Sequence, residues 1–183
     1  MGNQDYQNEK VRISYELMKN RKLFRKARAI IMKDNKLLAI KVVYKDDRPD
    51  HYLFPGGGVD EGETISEAAV REAYEEYGVR VTPIKQLGKQ YYSVQMKYNG
   101  ESFYSKRVEY HYICELDNID ENSDFGIDGE FSREDRTYEK VELSLDDIRK
   151  LNYNDLNDMS KNNYNRLIKF MTDNNKKRKN YIF

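Results

Sequence analysis

Alternating β-rich and helical stretches predict an α/β domain, and three features carry that expectation. Two pairs of β-rich runs flank turn dipeptides, Asp34-Asn35 and Asn99-Gly100. A sharply bounded helix lies between the two pairs, opening at Thr64 and stopping at Gly78. A further β-rich run, Tyr138 to Leu143, leads straight into a second capped helix at Ser144. With 183 residues the chain has room for one ordinary domain and hardly for two.

Taken in order, residues 1–22 are polar and basic, with Val11, Tyr15 and Met18 at weak helical spacing, which predicts a short helix or arm. "ARAIIMK", Asp34-Asn35 and "KLLAIKVVY" form the first hairpin, and "HYLFPGGG" reads as a short strand running into a Gly-rich loop. Thr64 can cap the amide three residues on while Glu67 reaches back, a capping box, and Gly78 supplies the stop. "KQYYSVQMKY" and "ESFYSKRVEYHYICEL" surround Asn99-Gly100, the strongest short hairpin signal. The tyrosines of that hairpin suit the cover of a half-buried sheet better than a platform for a base. Residues 117–137 read as an acidic loop, and a last helix is expected from about Asp155 to Met171. The resulting division is an arm or short helix over 1–22, a main domain over 23–172 and a basic tail over 173–183.

Charge and cysteine content narrow the function classes. The 32 basic and 32 acidic residues cancel, so no global field points to nucleic acid or an anionic membrane. They are unevenly spread: Glu115 to Asp147 holds thirteen acidic residues, whereas Lys10 to Arg28 and Lys176 to Lys179 are basic. The single cysteine, Cys114, alternates in register with Val108, Tyr110, Tyr112 and Leu116 and reads as a buried strand residue. One cysteine makes no internal disulfide, and no apolar run has membrane-spanning length, so a reducing cytoplasmic setting is expected.

The chemistry is concentrated in "REAYEEYG", residues 71–78. Glu72, Glu75 and Glu76 stand three and four residues apart and are neighbours on one helical face, where like charges repel by a few tenths of a kcal/mol per pair. Val70, Ala73, Tyr74 and Tyr77 occupy the other side and can face a core. Carboxylates so crowded call for a cation. Oxygen donors suit Mg²⁺ or Mn²⁺, and the absence of His and Cys among them argues against zinc.

From Gly57 to Val79 the sequence, "GGVDEGETISEAAVREAYEEYGV", resembles the Nudix box, Gly-x5-Glu-x7-Arg-Glu-U-x-Glu-Glu-x-Gly-U, where U is a bulky aliphatic. Gly57, Glu63, Arg71, Glu72, Glu75, Glu76, Gly78 and Val79 match it, and Ala73 is smaller than the usual first U. Seven fixed matches arise by chance on the order of 10⁻⁶ times per chain of this length. Outside the box, "LFPGG" and "YEKVELSLDDI" fall where the family's elements do, with Glu142 where many relatives carry a Trp.

The resemblance implies a Nudix fold, a mixed β-sheet sandwiched between helices, over the main domain. It implies a hydrolase of phosphorus-containing acid anhydrides that cuts a nucleoside diphosphate linked to another group, first of all a nucleoside triphosphate or related nucleotide. Carried over by position, Glu72, Glu75 and Glu76 bind Mg²⁺ or Mn²⁺ with help from the Gly56 carbonyl. Arg71 orients a box carboxylate, Glu63 braces loop against helix, and Gly57 and Gly78 are structural. The general base is either a box glutamate or one of Glu121, Glu130, Glu134 and Glu139 in or beside the acidic loop. Two other readings remain: a non-catalytic nucleotide-binding regulator of the same fold, and an RNA 5′-end pyrophosphohydrolase using the basic segment around Lys19 to Arg28 and the basic tail for the RNA backbone. A homodimer stays open.

Overall fold

The computed structural model describes residues 3–120, 135–156 and 159–179. In chain order these form α1 (Asn3–Lys19), β1 (Phe24–Lys33), β2 (Lys36–Tyr44), β3 (His51–Leu53), α2 (Ile65–Tyr77), β4 (Val79–Tyr98) and β5 (Glu101–Ile119). After the undescribed stretch come β6 (Arg136–Leu143), α3 (Leu145–Lys150), a 3₁₀ turn (Tyr153–Asp155) and α4 (Lys161–Lys179).

Both expected hairpins form, and their turn residues explain why. Asp34, Asn35, Asn99 and Gly100 all have positive φ, the conformation that a two-residue hairpin turn demands and that Asn, Asp and Gly accept most readily. β4 starts ten residues earlier than its alternating pattern suggested. Its first half is broken by register shifts at Arg80/Val81, Pro83/Lys85 and Gln86/Gly88. A proline cannot donate to the ladder, and each bulge resets which side chains face inward, so the period of two is lost there. The loop read over 117–137 is shorter at both ends, since β5 runs to Ile119 and β6 begins at Arg136.

The strands make a six-stranded mixed sheet in the order β3-β2-β1-β5-β4, with β6 on β2. β1 and β5 are parallel and the other pairs antiparallel. The first hairpin splits. β6 follows β2 from Leu37 to Tyr44, while on the other edge β1 pairs only near the turn and β3 takes over at Ile40–Val42. The edge that β1 thereby loses is taken by the Gly-rich loop. Ala29 N–H donates to Pro55 O (2.8 Å), Ala27 N–H to Gly57 O (3.0 Å), and Val59 N–H to Arg25 O (3.1 Å).

Side chains alternate along β1 into two cores. Ala27, Ala29 and Ile31 join Ala69, Ala73 and Cys114 beneath α2, whereas Ile30 and Met32 join Ile113, Ile148, Leu167 and Met171 beneath α3 and α4. The sheet is thus sandwiched between helices. The last helix begins at Lys161, not Asp155, and continues to Lys179. Leu156 and Met159, neither of them in a helix, are fully buried, and their spacing of three imitates a helix in the sequence. Ser160 accepts from Asn163 N–H at 3.3 Å and opens α4. α1 lies against the β4–β5 hairpin: the Tyr15 ring is 5.0 Å from that of Tyr98 and 5.3 Å from Phe103, and its hydroxyl donates to Glu101 (2.7 Å). Tyr91 and Tyr104 stay largely exposed.

The parallel β1–β5 pairing sets Lys26 opposite Glu109 and builds a buried polar cluster. Glu109, 2% exposed, accepts from Arg28 Nε (3.3 Å), Tyr92 OH (3.2 Å) and Gln90 Nε2 (3.4 Å), with Lys26 Nζ at 3.9 Å. His111 Nε2 lies 3.4 Å from the carboxylate without hydrogen bonding to it. Burial alone would push the Glu109 carboxyl up; Arg28, His111 and Lys26 outweigh it and hold it well below the ordinary carboxylate range. Glu109→Gln removes the carboxylate that Arg28 and Lys26 share and is expected to cost about 3 kcal/mol at pH 7. Because the folded carboxyl titrates below the unfolded value, that advantage is whole above pH 4.5 and fades as pH falls through the folded value. Urea unfolding of both proteins at pH 7 and pH 3 measures it; equal stability at pH 7 contradicts the assignment.

Candidate active site

α2 takes the bounds its sequence demands. Thr64 Oγ1 accepts from Glu67 N–H (3.2 Å), Glu67 accepts from Thr64 N–H (2.8 Å), and Gly78 closes the helix at φ 67°. Ala73 and Tyr77 reach the core, but Tyr74 is 40% exposed and donates from its hydroxyl to Asp120 (3.1 Å), so the apolar stripe is narrower than expected. Glu72, on the acidic stripe, is the buried one, at 8% exposure.

The carboxylates meet a cation of the protein's own. Arg71 donates through Nε and Nη2 to the two oxygens of Glu63, at 3.0 Å each. Its Nη1 donates to Glu72 Oε1 (2.8 Å) and Glu75 Oε2 (2.9 Å), and Nη2 also reaches the Gly58 carbonyl (2.9 Å). One guanidinium thereby serves three glutamates, and the repulsion expected along α2 is offset within the helix itself. Arg71 holds the Glu63 carboxyl below its ordinary value. Burial pushes the Glu72 carboxyl up, and Arg71 opposes that only in part.

Glu76 turns the other way and accepts from Gly56 N–H at 2.7 Å. The Gly56 carbonyl accepts from Arg28 Nη1 (2.6 Å), which also donates to Phe54 O (3.1 Å). Gly57 sits where a Cβ would run into the Glu72 carboxylate. Glu76 and Gly56–Gly58 line a cleft of ≈ 340 Å³ whose other walls carry Lys10, Lys26, Arg28, Arg107 and Arg136.

Among the described residues no three carboxylate, His or Cys side chains converge as a ready cation cage. Mg²⁺ does not need one, since it favours one or two carboxylates completed by water and substrate phosphates. The donors are hard oxygens, a carboxylate offers about four lone-pair sites, and the missing Cβ at Gly57 keeps the Glu72 carboxylate accessible to the loop. The residues therefore fit such an ion.

Glu121, Glu130 and Glu134 lie outside the described residues. Glu139 is exposed on β6 opposite Lys41, one residue from Tyr138, which lines the cleft. Sequence reasoning passed over Lys26, Arg28 and Arg107 as site residues. The alternation "FRKAR", which puts Phe24, Lys26 and Arg28 on one strand face, was the available signal.

Residues 23–161 match the family profile described as the NUDIX domain. The chain belongs to the Nudix family. It is a hydrolase of phosphorus-containing acid anhydrides, with nucleotide-linked diphosphates as the family's substrates. Among solved structures, a NUDIX hydrolase from Nitrosomonas europaea is 21% identical, over 70% of this chain and 77% of that one, with a TM-score of 0.48. The E. coli ORF135 protein is 20% identical over 82% and 89%, with a TM-score of 0.47. A MutT protein from Methanosarcina mazei Go1 is 15% identical over 83% and 95%, with a TM-score of 0.49. Among the described residues of this Nudix chain, no helix is long and apolar enough to cross a membrane.

The two glycines beside the box should respond differently to a methyl group. At Gly56, where φ is 156°, a Cβ meets the Ala27 backbone carbonyl; at Gly57 it meets only the end of a glutamate side chain. Gly56→Ala should lower the unfolding free energy by about 1–3 kcal/mol, and Gly57→Ala far less. Denaturant titration of both variants decides; equal losses contradict this placement of the loop.

Proposed function

We propose that this Nudix chain is a metal-dependent pyrophosphohydrolase that converts a nucleoside triphosphate or related nucleotide to a nucleoside monophosphate and a phosphorylated product. One observation carries the reading: the box glutamate Glu76 and the Gly56–Gly58 loop share a cleft with five cationic side chains. A polyphosphate needs cations along its length and carboxylates only where an ion is to be held.

Glu72, Glu75, Glu76 and the Gly56 carbonyl would hold Mg²⁺ or Mn²⁺, which supplies neutralisation of the diphosphate and a lower pKa for a bound water. The chain's own contribution is positioning. Arg71 fixes Glu72 and Glu75 while anchoring the loop at Gly58, and Glu63 locks the Arg71 fork from behind. Arg28 sets the direction of the Gly56 carbonyl. In-line attack at a bridging P–O–P linkage then depends mainly on geometry and on charge stabilisation by the cleft.

Every glutamate of the box is retained, which favours catalysis over a sensing role. Of the basic segment near Lys19 to Arg28, Lys26 and Arg28 face the cleft beside Glu109, whereas Lys19, Arg21, Lys22 and Arg25 are exposed, and salt-dependent RNA binding by the protein would favour the RNA 5′-end reading instead.

Hydrolysis should need Mg²⁺ or Mn²⁺, and full turnover in excess chelator would sink the mechanism. Glu75→Gln and Glu76→Gln should each lower kcat about a hundredfold, on the order of 3 kcal/mol, with the fold intact. Near-normal rates in both would remove these residues from the site. With a nucleoside triphosphate, mass spectrometry should find the monophosphate and pyrophosphate; release of inorganic phosphate alone contradicts the linkage assigned.

A further inference from the structure

The family match begins at residue 23, so α1 lies outside the matched residues, yet it walls the cleft through Lys10, Val11 and Ser14. Ser14 is 1% exposed, and among the described residues its Oγ has no hydrogen-bond partner. A buried hydroxyl left unsatisfied is costly, so its position asks for a complement that the folded chain does not supply.

Arg107 lines the same cleft and is treated unlike its neighbours. Arg28 and Lys26 lie beside Glu109, and Arg136 is paired with Asp135 at 2.8 Å. Arg107 donates only to neutral acceptors, Ser105 Oγ (3.4 Å) and Met96 Sδ (3.3 Å), with its guanidinium 5.2 Å from the centre of the Phe24 ring. Among the described residues no ion pair to it is formed. Among the described residues Glu76 is the one carboxylate lining the cleft, and it accepts from the Gly56 amide. A guanidinium and a hydroxyl that have no carboxylate partner among the described residues, with a lysine lining the same space, form a donor set for a phosphate group.

We propose that Ser14, Arg107 and Lys10 bind a substrate phosphate beyond the linkage that is cut at the Gly56–Glu76 end. α1 thus selects nucleotides carrying three or more phosphates over diphosphate conjugates. This rests on the pyrophosphohydrolase reading for the identity of the substrate, whereas the anion site itself does not depend on turnover.

The test is calorimetric titration of inorganic triphosphate and of pyrophosphate into the metal-free full-length protein. The wild type should bind triphosphate the more tightly. Ser14→Ala and Lys10→Gln should each weaken triphosphate binding about fivefold or more, while changing pyrophosphate binding less than about twofold. Ser14→Ala removes a buried unsatisfied group, so its unfolding temperature should hold or rise, and Lys10→Arg should restore the affinity that Lys10→Gln loses. Equal weakening towards both anions, no weakening, or no triphosphate binding by the wild type overturns the proposal. Selective triphosphate binding without nucleotide hydrolysis sinks the enzymatic reading alone. Hydrolysis indifferent to the α1 variants, with unchanged binding, sinks the role of α1 alone.

Discussion

Two arginines hold the Gly-rich loop, and the site follows from their grip. Arg28, from β1, takes the carbonyls of Phe54 and Gly56; Arg71, from α2, takes that of Gly58. The loop also borrows the β1 edge that β2 abandons where the first hairpin splits. Backbone amides and carbonyls that would otherwise be stranded between two diverging strands are satisfied in this way. The consequence is functional. The amide of Gly56 is presented to Glu76, and Gly57 lies over the carboxylate of Glu72, so loop and helix are fixed as one unit before any ligand arrives.

Fixing that unit means burying charge, and the fold compensates charge by charge. Arg28 is driven towards neutrality by desolvation, and Glu109 and Glu76 restore its charge. Glu109 is in turn shared among Arg28, Lys26, Tyr92 and Gln90. Arg71 closes a second set with Glu63, Glu72 and Glu75. In the first set Glu109 is buried and Lys26 and Arg28 are mostly covered. In the second, Glu75 is more than half exposed, so at least one of its carboxylates can exchange partners without unfolding the helix.

What the sequence made legible was whatever local chemistry decides. The bounds of α2 depend on Thr64, Glu67 and Gly78, all within one helix, and the hairpin turns on Asp34-Asn35 and Asn99-Gly100. The Nudix box is legible for the same reason, because its residues share a loop and a helix. Illegible were features made by pairing distant strands. Nothing local in "RVEYHYICEL" marks Glu109 as buried, since its partners Lys26 and Arg28 arrive through a parallel pairing some eighty residues away in sequence. Leu156 and Met159 misled by helical spacing, and Tyr74 looked like a core residue although α2 packs on the sheet through Ala69, Ala73 and Tyr77. The cleft wall from α1 was hidden because Ser14 is an unremarkable residue until a second element covers it.

A net charge of zero said little about partners, because the information lies in where compensation is withheld. Arg71, Arg28 and Arg136 carry the same guanidinium as Arg107, and each of the first three is beside a carboxylate. Among the described residues Arg107 has neutral acceptors alone, in a cleft that also holds an unsatisfied hydroxyl, an arrangement that gives up stability as functional sites commonly do. An anion brought in by substrate recovers that deficit on binding, which ties affinity at the α1 wall to the same electrostatics that the rest of the fold has already satisfied.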